Sequence, residues 1–122
     1  MSFLPAVQRE IANRQPSDPI RLTLEYLIQH GIGNQNPVPL REIVQHLNDN
    51  GTQISGTGFQ QTVLAESRRQ DFYIGVGRRG YFIIDTIDDA ILTRDFYDTR
   101  IQAERRNLDN LRQQAINIGW TI

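Results

Sequence analysis

The chain has 122 residues, 39% of them hydrophobic, enough for one small domain with a modest core but not for a large enclosed active site. It contains no cysteine, which excludes disulfides, thiolate zinc sites and cysteine nucleophiles. Its 13 basic residues, all arginine, face 14 acidic ones for a net charge of −1, so no global basic surplus marks a nucleic-acid binder.

Residues 4 to 14 predict a short helix with Leu4, Val7 and Ile11 on one face. This N-terminus lacks the apolar block of a signal peptide, and no run approaches a transmembrane span. A cytoplasmic protein without a membrane partner is expected. Gln15-Pro16-Ser17 breaks the helix, and Asp18-Pro19 starts the next, with aspartate as cap and proline in the first turn. Ile20, Leu24, Leu27 and Ile28 form its buried stripe, and Gly31 ends it.

After the loop Gly33 to Pro37, a second helix runs from Pro39 with Leu40, Ile43, Val44 and Leu47 on one face, and Asn50-Gly51 stops it. Ser55 or Thr57 caps a third helix, over 57–70, in which Phe59, Val63 and Leu64 point inward. Thr57, Gln60, Gln61, Thr62, Arg68 and Arg69 then fall on an outer or flanking surface. From Asp71 the period changes to two, with Phe72, Ile74 and Val76 on one face. Gly77-Arg78-Arg79-Gly80 is a turn, and Tyr81 to Ile84 returns, so the segment is a hairpin with an arginine tip.

Thr86-Ile87-Asp88-Asp89 is a capping box opening a pattern that stays helical to about Ile118. At ~1.5 Å per residue that helix is roughly 48 Å long, too long to lie entirely on so small a domain. One heptad track holds Ile87, Arg94, Ile101, Leu108 and Ala115; the other holds Ala90, Tyr97, Glu104, Leu111 and Ile118. Tyr97, Ile101, Leu108, Leu111, Ala115 and Ile118 are the expected dimerisation residues. Gly119 is the stop, and Trp120 is placed to pack back on the last turn or on a partner chain.

The order helix, helix, helix, strand, strand over residues 18–85 resembles a winged helix-turn-helix. The fold expected is therefore α+β and mostly helical: an N-terminal extension over 1–17, a three-helix winged domain over 18–85 with a two-stranded wing, and one long helix over 86–122. The resemblance implies that Val38 adds a short strand to the hairpin. It also implies that the third helix enters a major groove of double-stranded DNA while the wing touches flanking backbone. Glutamine amides at Gln60 and Gln61 suit adenine edges, and the Arg68, Arg69, Arg78 and Arg79 guanidinium groups suit phosphate. Paired long helices would make a homodimer on a palindromic site. A glycine-arginine wing before a capped acidic helix is similar to small regulators of phages and mobile elements, and a restriction-linked or defence role fits the same architecture.

Two rival readings remain. Winged helices also serve as protein-binding adaptors, which suits a near-neutral chain. The third and weakest reading is a small nuclease: Tyr73-Ile74-Gly75 matches one half of a GIY-YIG motif but lacks the companion strand. With no lysine for a PD-(D/E)xK site and no P-loop, catalytic, cofactor and metal residues are all expected to be none. His30 and His46 stand at separate helix ends, and adjacent Asp88 and Asp89 diverge on a helix, so capping explains them.

Overall fold

In the computed structural model, which describes residues 2–122, the expected capping chemistry starts the main elements. Helix α1 spans Leu4–Asn13 and α2 spans Pro19–His30, where Asp18 accepts from the Ile20 amide at 2.8 Å. Helix α3 spans Leu40–Asp49. Helix α4 is built of three contiguous stretches, Gly56–Gly58, Phe59–Leu64 and Ala65–Gln70, the middle one wound as a π-helix. Ser55 Oγ accepts from the Gly58 amide at 3.0 Å and so fixes the start despite the two glycines. The wider π turn brings residues four and five apart onto one side. Phe59, Val63 and Leu64 are accordingly all buried.

Val7, Leu24, Leu27, Ile43, Leu47 and Phe59 are buried in one core with Ile83 from the hairpin. The N-terminal segment thus contributes Val7 to the same core as the later helices. Strands β1, Ile74–Gly77, and β2, Gly80–Ile83, pair antiparallel with Ile74 opposite Ile83 and Val76 opposite Tyr81. Val38 joins as a single antiparallel bridge, exchanging backbone hydrogen bonds with Tyr81 at 2.8 and 2.9 Å. Ile74, Val76, Tyr81 and Ile83 belong to the helical core.

The final helix, α5, spans Ile87–Asn117 and covers the other face of the hairpin with its first three turns. Gly75 makes this approach possible, since a Cβ there would collide with the Phe82 ring and Thr93 Oγ1. Thr93 Oγ1 accepts from the Val76 amide at 3.2 Å and donates to the Asp89 carbonyl at 3.0 Å. Phe72, expected to share a face with Ile74 and Val76, lies ahead of β1 and is 39% exposed. The Asp71 amide still bonds the Ser67 carbonyl at the end of α4, which delays the strand to Ile74.

Thr86 and Asp89 form the capping box, and Asp89 does more than cap. Its carboxylate, only 2% exposed, accepts from the amides of Asp85 and Asn34, both at 2.8 Å, from the Thr86 amide, and from the Asn34 side chain. Burial alone would raise this carboxyl, but the hydrogen bonds from Asp85, Asn34 and Thr86 outweigh it and hold it below the usual range. The loop before α3 is thereby tied to the root of α5.

Beyond Tyr97 the helix leaves the body, and residues 98–114 are all exposed. It ends in a Schellman motif on Gly119, whose φ is +84°: the Gly119 amide bonds the Ile116 carbonyl and the Trp120 amide bonds the Ala115 carbonyl. The protein is thus α+β and mostly helical, with a two-stranded antiparallel sheet and one long C-terminal helix, an arrangement compatible with a winged helix. Among the described residues no helix is long and apolar enough to cross a membrane.

Candidate nucleic-acid interface

The inward anchoring of α4 by Phe59, Val63 and Leu64 decides which of its polar residues remain outside. Thr57, Gln60, Gln61, Thr62 and Arg69 are exposed. Gln61, Thr62 and Arg69 border an open hollow of about 560 Å³, whose far side is Arg14 and Asp18 at the α1–α2 junction. Thr62 Oγ1 donates to the Gly58 carbonyl at 2.6 Å, leaving its oxygen as an acceptor. Gln60 donates to the Tyr81 hydroxyl at 2.9 Å, so the hairpin positions its amide. Arg69 pairs with Glu66 one turn earlier. That bond, with one from Gln70, holds the Glu66 carboxyl below its usual range.

Arg68 is placed differently from its neighbour. Its Nε and Nη2 donate to the Ile74 carbonyl at 3.2 and 2.9 Å, its Nη1 donates to the Tyr97 hydroxyl, and the guanidinium lies 4.6 Å from the Phe72 ring centre. It therefore ties α4 to the hairpin and to α5 instead of facing outward as a phosphate contact. Burial pulls this guanidinium below its ordinary value.

Arg78 and Arg79 are the two central residues of the hairpin turn, both exposed. Among the described residues neither forms an ion pair. Gly80 sets this tip against the body: its φ is +142°, and a Cβ would collide with the Val38 carbonyl. Two exposed guanidinium groups thus stand at the tip of a narrow hairpin that the Val38 bridge braces.

The residues expected to dimerise also divide. Ile101, Leu108, Leu111 and Ile118 are 44–63% exposed on the projecting helix, with Ile116 and Trp120 also exposed nearby. Tyr97 instead packs inside the chain, its ring edge-on to Phe72 and its hydroxyl bonded by Arg68. Ala115 is 3% exposed, at the carbonyl that anchors the C-terminal turn. These two are covered by their own chain, leaving a four-residue apolar stripe.

His30 and His46 flank the Tyr26 ring at 4.5 and 4.6 Å between centroids, a group of mutually tilted rings at the α2–α3 contact. Among the described residues no cluster of three or more histidine, aspartate or glutamate side chains is placed to hold a metal ion. Sequence reasoning passed over Arg100, which borders a second hollow together with Arg68. The one signal for it is its spacing of four from Phe96, whose ring it overlies at 5.9 Å. No protein-family model, curated protein or solved structure matches this chain.

Proposed function

We propose that the protein binds double-stranded DNA as a dimeric, sequence-specific regulator. Helix α4 enters the major groove through Thr57, Gln61, Thr62 and Arg69, with Gln60 at its edge. Arg78 and Arg79 grip flanking phosphates, and the exposed half of α5 pairs two protomers. The observations that carry this reading are an exposed polar α4 surface, tied to the hairpin by the Gln60–Tyr81 hydrogen bond, and a hairpin tip bearing two exposed arginines that form no ion pair among the described residues. Phosphate contacts need such uncompensated guanidinium groups, and base contacts need amides and hydroxyls on a helix that fits the groove. A net charge of −1 does not oppose this, because the groups at the proposed contact carry the local charge.

Fluorescence anisotropy with random-sequence duplex DNA at low and moderate salt tests the reading. Binding that weakens steeply with salt is the expected outcome. Absence of binding at low salt would contradict it and favour the adaptor reading, for which the exposed apolar stripe on α5 is the supporting observation.

A further inference from the structure

A hollow of about 370 Å³ lies between α4, the hairpin and α5. Two arginines, Arg68 and Arg100, border it, and no carboxylate does. Leu64, Val76 and the rings of Phe96 and Tyr97 supply apolar walls, while the Tyr81 hydroxyl and Gln60 amide supply neutral hydrogen-bonding groups. We propose that this hollow binds a small organic anion with a flat apolar body, such as an aromatic carboxylate.

The charge arrangement carries the inference. A guanidinium has five N–H donors. Arg68 directs three of its hydrogen bonds to the Ile74 carbonyl and the Tyr97 hydroxyl, both neutral acceptors. Among the described residues neither Arg68 nor Arg100 forms an ion pair. A partly desolvated cation with a second cation beside it is unfavourable unless an anion joins them. Burial is the main influence weakening the Arg68 cation, Tyr97 and Tyr81 act against it, and the charge of Arg100 adds a smaller weakening.

Size and walls then select the ligand class. Ligand sites run from about 300 to 1,000 Å³. A hollow near the lower bound suits a single ring, which the aromatic walls can stack while the carboxylate meets the arginines. Of the residues proposed to meet DNA, Gln60 at the edge of that contact also lines this hollow, whereas Gln61, Thr62 and Arg69 border a different one.

The test uses the full chain and sodium benzoate, with benzamide and inorganic phosphate as controls at matched ionic strength. Proton–nitrogen NMR should show the Arg68 Nε–H resonance moving saturably with benzoate, at an affinity at least about tenfold above that for benzamide. Arg100→Gln, on an exposed side chain outside the core, should keep the wild-type spectrum elsewhere and lower benzoate affinity by about tenfold. Arg68→Gln removes the reporting Nε–H itself and also loosens the Ile74 carbonyl, so Arg100→Gln is the deciding variant. A response equal for benzamide, one unaffected by Arg100→Gln, or none at all would overturn the proposal. Saturable phosphate binding without benzoate binding would overturn the aromatic ligand class.

Discussion

The two halves of α5 are one continuous helix with opposite dependence on the rest of the molecule. From Ile87 to Tyr97 it has a capping box, a buried carboxylate at its root, and Thr93, Phe96 and Tyr97 packed toward the sheet or core. From Asp98 to Gln114 every residue is exposed, and Ile101, Leu108 and Leu111 face water. Isolated helices shorter than about 12–15 residues are marginal in water, and tertiary packing normally sustains them. The first half therefore belongs to the folded body. The second half has helix continuity and a Schellman stop, but its residues 98–114 are all exposed, and a second copy of the stripe would supply a packing partner.

The largest expected effect breaks this difference directly. Leu108→Asp with Leu111→Asp should convert dimers to monomers by light scattering. The association should weaken by on the order of a thousandfold or more, since each buried leucine contributes roughly 1.5–3 kcal/mol. Far-ultraviolet circular dichroism should lose part of the helical signal at the same time, while the body remains folded. Persistence of dimers would move the interface away from the stripe.

A change at the root should act on the body and spare association. Asp89→Asn removes a buried charge that accepts from Asp85, Thr86 and Asn34. It should cost about 2–4 kcal/mol in urea unfolding, because hydrogen bonds to charged groups are worth more than neutral ones. The folded-state carboxyl lies below its unfolded value, so its contribution is complete above the unfolded pKa. That contribution is lost as pH falls through the lower folded value. Wild-type stability should thus fall toward strong acid, and the pH dependence of Asp89→Asn should be flatter there. Gly75→Ala probes the same packing from the sheet, with an expected loss of about 1–3 kcal/mol from the collision with Phe82 and Thr93.

The smallest effect concerns readout. Gln61→Ala should leave stability and overall affinity nearly intact but relax base preference by about 1–3 kcal/mol at one position, measured by selection from a random duplex pool. Unchanged preference would remove Gln61 from the proposed contacts.

What was legible in the sequence was local. Asp18, Ser55 and the Thr86–Asp89 pair announce their helices through capping chemistry, and the apolar spacing of Ile20, Leu24 and Leu27 reports the core face without any tertiary information. What was hidden depends on contacts between distant segments. Arg68 and Arg69 are equivalent as neighbours on a polar helix end. Only the arrival of Ile74 and Tyr97 draws Arg68 inward and leaves Arg69 outside. Tyr97 fits the heptad as well as Leu111 does, yet Phe72 and Arg68 pack against Tyr97 while Leu111 stays exposed. The tripeptide Tyr73-Ile74-Gly75 has a packing explanation that no motif comparison supplies: Gly75 admits Thr93 and Phe82.

The central claim is that the hairpin tip meets phosphate, and the salt dependence of duplex binding tests it most directly. The logarithm of the affinity should fall linearly with the logarithm of salt concentration, and Arg78→Ala with Arg79→Ala should reduce that slope by about 2, at close to 0.9 per phosphate contact. Affinity should drop similarly on every sequence. An unchanged slope in the double variant, or no duplex binding by the wild type at low salt, would contradict the account.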